Sequence, residues 1–221
     1  MLLRVLPCII VLLTVASANA QPMLHGKLEG NRYTSPTGEF SMTVPVLPEL
    51  GGTVTDTPNV VTFQDQFSLH ASIACFAMDA SQRWENETRG RRDYLIWFFT
   101  NFVQGDFNAR FPGAEIESAK YFNNFLGGSL LVFNLLPGGS MFEHRIALAA
   151  GEAPPVAKRG NLHFVHDDYV YVVSTELAEK VVSRRTYDAP VAEQDEVLRK
   201  RLMDLVARMT FTTEQASESG S

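Results

Sequence analysis

Residues Tyr169 to Ser174 read Tyr-Val-Tyr-Val-Val-Ser, and no other stretch of the chain limits its fold more. With the two-residue period of a strand, Tyr169, Tyr171 and Val173 share one face and Val170 and Val172 the other. A strand that is apolar on both faces belongs in the middle of a sheet that is covered on both sides. Asn161 to Val165, joined to it across the polar His166-Asp167-Asp168, reads as its hairpin partner. Cover is then needed on each face, and the rest of the chain has to supply it.

Strand signals dominate before and after a helical middle. In Gly30 to Pro45, Phe40, Met42 and Val44 alternate with Glu39, Ser41 and Thr43, and Ser35-Pro36-Thr37-Gly38 is a turn. Pro36 presets its φ, and Gly38 can adopt the left-handed conformation. Val60 to Gln64 is a short strand and Ser68 to Met78 a long one, with Leu69, Ala71, Ile73, Cys75 and Ala77 on one face. From Asp79 to Arg92 the chain is polar. Asp93 to Phe107 then carries Leu95, Phe98, Phe99, Phe102 and Val103 at helical spacing, and Tyr94 to Phe99 is apolar all round. Strands follow at Glu115 to Phe122, Ser129 to Leu135 and Ser140 to Leu148, with a loop at Gly151 to Arg159. The Gly-, Pro- and Asn-rich breaks between them favour antiparallel neighbours. Last, Val191 to Met209 places Leu198, Leu202, Leu205, Val206 and Met209 on one helical stripe. Asp195–Arg199, Glu196–Lys200 and Asp204–Arg208 stand at i,i+4 on the other side. These elements predict an α+β fold, an antiparallel sheet with an N-terminal hairpin, covered by helices.

The order of these elements is similar to that of the PsbP-like family of α/β/α sandwiches. The resemblance rests on Tyr33-Thr34-Ser35-Pro36-Thr37-Gly38-Glu39-Phe40-Ser41 leading to Val44-Pro45, on Val61-Thr62-Phe63-Gln64-Asp65, and on Tyr169 to Ser174 before the last helix. It spans most of residues 30 to 212. It implies a non-catalytic assembly or binding module, and it assigns no functional residue.

The first twenty residues have the layout of a secretory signal peptide. Arg4 is followed by an apolar run from Val5 to Ala16 and an A-x-A site at Ala18-Asn19-Ala20. Such a run is too short for the roughly 20 residues that span a bilayer. The expected division is a signal peptide at 1–20, cleaved near Ala20, a single α/β domain at 21–212, and a disordered tail at 213–221. Removal of Arg4 takes the net charge from −6 to −7, which disfavours nucleic acid as a partner. Cys75 is the one cysteine left after Ala20, so an intramolecular disulfide is ruled out for the mature chain. A bacterial periplasm, or secretion, suits such a chain, and no later stretch is long and apolar enough to span a membrane.

Catalytic constellations are mostly absent from the sequence. His163 and His166 are three apart in a strand and point to opposite faces, so they do not share a metal. Gly127-Gly128-Ser129 and Gly138-Gly139-Ser140 are turns between strands, not nucleophile elbows. Glu115 and Glu117 read as two acids on a solvated face. No motif calls for a cofactor or a metal. What stands out is Arg89-Gly90-Arg91-Arg92 near Trp84, ahead of the aromatic helix. It is either a solvated loop or a contact for an anionic small molecule or an acidic protein, since Arg and Trp are enriched where interfaces carry their energy. The chain is expected to be a non-catalytic binding or assembly-accessory module that uses Trp84, Arg89, Arg91 and Arg92. The competing expectation is a hydrolase or metal-dependent enzyme with a site drawn from His144, His163 and Asp167.

Overall fold

A computed structural model describes residues 24–67, 69–142, 156–177 and 189–212. Eleven strands are present among them: β1 (Lys27–Glu29), β2 (Arg32–Thr34), β3 (Phe40–Thr43), β4 (Thr53–Asp56), β5 (Val60–Gln64), β6 (His70–Ala77), β7 (Glu115–Phe122), β8 (Ser129–Pro137), β9 (Val156–His166), β10 (Tyr169–Leu177) and β11 (Met209–Phe211). The helices are α1 (Ala80–Arg89), α2 (Arg91–Phe98), α3 (Gln104–Arg110) and α4 (Val191–Ala207), with a π-turn, Phe99–Val103, between α2 and α3. Strands β4-β5-β6-β10-β9-β8-β7 form a seven-stranded sheet, and β1-β2-β3-β11 a small one. Every pairing is antiparallel.

β10 occupies the centre of the large sheet, as its two apolar faces require. Tyr171 and Val173 enter one core with Ile73, Cys75, Leu162 and Phe164. The small sheet contributes Tyr33, Phe40 and Met42 to that core, and α4 contributes Leu198, Leu202 and Leu205. Val170 and Val172 enter a second core with Tyr94, Leu95, Phe98, Phe99 and Phe107 from the helical layer. The fold is thus three layers deep, with the large sheet in the middle. Each large side chain buried in these cores contributes about 1.5–3 kcal/mol relative to exposure.

The opening hairpin forms as its turn chemistry dictates. The Ser35 amide donates to the Phe40 carbonyl at 2.9 Å, and Gly38 has φ 79°. It begins the small sheet rather than the large one. Asp56 of β4 ties the two together, accepting the His25 and Gly26 amides at 2.8 and 2.7 Å and the Tyr33 hydroxyl at 2.8 Å.

Several expected boundaries move, each for a physical reason. The polar stretch before Asp93 is itself a helix, α1, started by a capping box: Asp79 accepts the Gln82 amide and Gln82 accepts the Asp79 amide. The long aromatic helix runs on from Arg91 to Arg110, but five of its residues, Phe99–Val103, form a π-helical turn. Val156 to Arg159, expected in a loop, begins β9. Lys158 hides there as a buried cation, ion-paired to both Glu117 and Asp195 with its ammonium 5.3 Å from the Phe133 ring centre. Glu117 is available because β7 slips register between Ile116 and Ser118, so it is not a solvated acid on a regular face. Asp195 is drawn to Lys158, and Arg199 pairs instead with Glu196. Met209 leaves the helix and opens β11, opposite Met42. Of the strand expected from Ser140, residue 140 is irregular, residues 141–142 form a turn, and the rest lies outside the described residues, as do 1–20, His144 and the tail at 213–221.

Candidate functional site

The face of the large sheet that meets the helices is not uniform. Strand register sorts its side chains into rows that run across the sheet. Phe76, Val170 and Val165 form one row, and Val60, Ala74, Val172, His163 and Leu130 the next. The following row is polar throughout its first five members: Thr55, Thr62, Ser72, Ser174 and Asn161. Beyond it lie Thr53, Gln64 and His70, then Glu176, Arg159 and Asn134. Helix α2 and the π-turn pack their aromatic side chains on the apolar rows. Over the first polar rows and the adjoining part of the apolar ones, a cavity of about 810 Å³ is left between sheet and helices.

Its floor runs from Thr53 and Thr55 at the exposed edge through Thr62, Ser72 and Ser174 to Arg159 and Asn161 in the buried centre, with Val60, Ala74, Phe76 and Val172 beside them. Its opposite wall is aromatic, with Phe98, Phe102 and Phe107 from the helical layer and Phe142 at the inner end. The inner end is a closed polar network. The Arg159 guanidinium donates to Glu176 at 2.8 Å, to the Asn161 side-chain oxygen at 3.1 Å and to the Ser72 hydroxyl at 3.2 Å. Asn161 also accepts from the Ser174 hydroxyl at 2.8 Å and donates to Asn134 at 3.0 Å, and Asn134 donates to Gln104 at 2.9 Å. Glu176 further accepts the Ser140 hydroxyl and, at 3.0 Å, the Met141 amide. Phe107 and Phe142 flank the guanidinium, their ring centres 5.8 and 5.2 Å from its carbon.

Each ionisable group on the lining already has a partner. Arg159 is held by Glu176, Arg110 pairs with Asp106 at 2.9 Å, and Asp79 caps α1. None of the buried polar atoms left unpartnered among the described residues belongs to the lining.

The residues singled out in the sequence are spread over the helical layer. Trp84 stands 60% exposed on α1. Arg89, in the last turn of α1, pairs with Glu85 and lies 5.9 Å from the Trp97 ring centre. Gly90, at φ 79°, separates α1 from α2, so the basic stretch is a helix–helix junction rather than a loop. Arg91 turns inward, donating to the Val165 carbonyl at 2.7 Å, and burial lowers its pKa. Arg92 remains exposed. The four do not converge on one site, and none lines the cavity.

His163 and Asp167 do not converge either. His163 is fully buried against Phe99 with neither ring nitrogen hydrogen-bonded. Burial, with the Arg159 charge adding to it, pushes the imidazole down to about 3. Asp167 is exposed at the tip of the β9–β10 hairpin, with φ 49°. His166 points to the other face, stacked 4.4 Å from Phe211. Among the described residues no group of three or more His, Cys, Asp or Glu side chains is placed to hold a metal.

Sequence reasoning passed over the cavity because Thr62, Ser72, Asn161 and Ser174 look like the solvent side of ordinary strands. The available signal was that polar residues on both β6 and β10 share a face with Val170 and Val172, which must be covered.

No family model matches the chain, and no curated protein matches its sequence. Among solved structures it is similar to the solution structure of cyanobacterial PsbP (CyanoP) from Synechocystis sp. PCC 6803. That likeness has a TM-score of 0.48 and 11% identity and covers 90% of this chain and 99% of that one. A crystal structure from Bacteroides thetaiotaomicron VPI-5482 is also similar, with a TM-score of 0.43 and 11% identity, over 85% of this chain and 50% of that one. At such identity neither likeness says anything of function.

Proposed function

We propose that the chain is an exported, non-catalytic binding module that holds a small molecule in the cavity between the large sheet and the helical layer. The observation that carries this reading is the cavity itself, polar on one wall and aromatic on the other. Its volume falls in the ~300–1,000 Å³ range of small-molecule sites, which combine apolar walls with a few placed polar groups. A non-catalytic role is supported by the composition of the described lining, which carries no histidine, cysteine, lysine or tyrosine to serve as base or nucleophile. Export to the periplasm or beyond is supported by the layout of residues 1–20. Trp84 and Arg92 supply exposed surface for a protein partner in an assembly role, while Arg89 and Arg91 already serve within the fold.

The test uses N-phenyl-1-naphthylamine, an uncharged dye that fluoresces on leaving water. The native protein is expected to bind it saturably. Ala74→Trp, which fills the cavity from its floor, is expected to abolish that binding with the melting transition retained. Replacement of Arg89, Arg91 and Arg92 together is expected to leave dye binding intact. Equal dye binding by the native protein and Ala74→Trp would overturn the reading.

A further inference from the structure

Resting on that reading of the cavity as a ligand site, we propose that its ligand is a neutral polyhydroxylated molecule: a sugar ring or a short uncharged oligosaccharide. Three independent features of the walls point there.

The floor is built for hydroxyl groups. Thr55, Thr62 and Ser72 stand side by side on three adjacent strands, with Thr53 and Gln64 in the neighbouring row. Adjacent strands are about 4.8 Å apart, so one ring spans two or three of these side chains. Hydroxyls and amides both donate and accept, which matches a partner whose own hydroxyls do the same. Ser72 already accepts from Arg159, so its proton is directed to a further acceptor.

The facing wall is built for the apolar side of such a ring. Phe102 is half-exposed, lines the cavity and is braced by Phe98 and Trp97, with ring centres 5.2 and 5.4 Å away. A pyranose presents hydroxyls around its rim and C–H groups on its faces, so a hydroxyl floor and an aromatic roof can be satisfied together.

The lining disfavours the alternatives. An anionic ligand would meet no unpaired cation, because Arg159 is held by Glu176 and Arg110 by Asp106, and of the two carboxylates on the lining Asp106 is paired and Asp79 caps α1. Breaking the Arg159–Glu176 pair to receive it would leave a buried charge bare. A wholly apolar ligand such as the dye can rest on the apolar lining but returns nothing to the threonine and serine hydroxyls it desolvates, so it binds less tightly than a ligand that satisfies them. A neutral polyol avoids both penalties.

The experiment is displacement of the bound dye from the full chain by maltotriose, cellotriose and triacetylchitotriose, with a galacturonic acid trimer as the charged counterpart. At least one neutral trimer is expected to displace the dye. The double variant Thr55→Val, Thr62→Val leaves the Arg159 network untouched. It is expected to weaken that displacement about tenfold, the loss of two ordinary hydrogen bonds, after correction for the variant's own affinity for the dye. Displacement by the charged trimer as well as by a neutral one, by no sugar, or equally in the double variant would overturn the sugar assignment. Each of those outcomes leaves small-molecule binding standing. Failure of the dye itself to depend on the cavity would overturn the binding reading first.

Discussion

His163 and Cys75 are both titratable groups placed inside the fold, and burial acts on them in opposite directions. For His163, burial and Arg159 hold the folded imidazole near 3, against about 6.5 in an unfolded chain. Between those values the unfolded state binds the extra proton, so stability rises with pH across this window and is lost as pH falls through it. One such group contributes a slope of up to about 1.4 kcal/mol per pH unit. His163→Phe is therefore expected to flatten the acid limb of urea-unfolding free energy between about pH 6 and 4, whatever it does to stability at pH 7; an unchanged slope would assign the acid limb to carboxylates. For Cys75, burial pushes the thiol up to about 11, with the Tyr171 hydrogen bond opposing it. It should label slowly with a thiol reagent in the native protein and quickly in denaturant, and Cys75→Ala should cost about 1 kcal/mol. Equal labelling rates in the two conditions would mean that β6 presents its other face.

Helix α4 and β9 show how elements constrain one another. Gly160 lies under the helix: a Cβ there would stand 3.1 Å from Leu202, 3.2 Å from the Phe133 ring and 3.4 Å from Leu198. A glycine inside a strand often marks such close approach. Gly160→Val is expected to lift α4 from the sheet and lower the melting temperature, read by calorimetry. Leu202→Ala acts on the same contact from the other side and should destabilise by about 2–5 kcal/mol, measured by urea unfolding. A full-strength Leu202→Ala protein would mean the helix does not seal the core. The double mutant should cost less than the sum of the two, since once α4 is displaced little of the Leu202 contact is left to lose.

At the scale of the whole molecule, the two faces of the large sheet have different tasks. One is apolar and sealed by the small sheet and α4. The other is half apolar and half polar, and the helical layer leaves a cavity over the polar half and the adjoining part of the apolar one. Among the described residues no helix is long and apolar enough to cross a membrane. If the chain is exported as proposed, intact mass of protein recovered from the periplasm of a secretion-competent host should lack residues 1–20. A full-length species held in the cytoplasm would argue against export.

Much of the architecture was legible because its signals are local. The turn at Ser35 to Gly38, the two-faced β10, the core side of β6 and the stripe of α4 each follow from periodicity within one segment. What depended on pairing between distant segments was not legible. Lys158 and Arg159 look like loop residues until Glu117, Asp195 and Glu176 are brought beside them. Arg91 looks like a free cation until the Val165 carbonyl arrives 74 residues later in the chain. The cavity is the extreme case. Thr62, Ser72, Ser174 and Asn161 become one row only when the registers of β5, β6, β10 and β9 are fixed. The sequence by itself determined most of the long strands and helices and which of their faces must be buried, because burial follows from side-chain period. Only the tertiary structure decided which polar side chains meet one another, because strand register joins residues whose separation along the chain carries no trace of it.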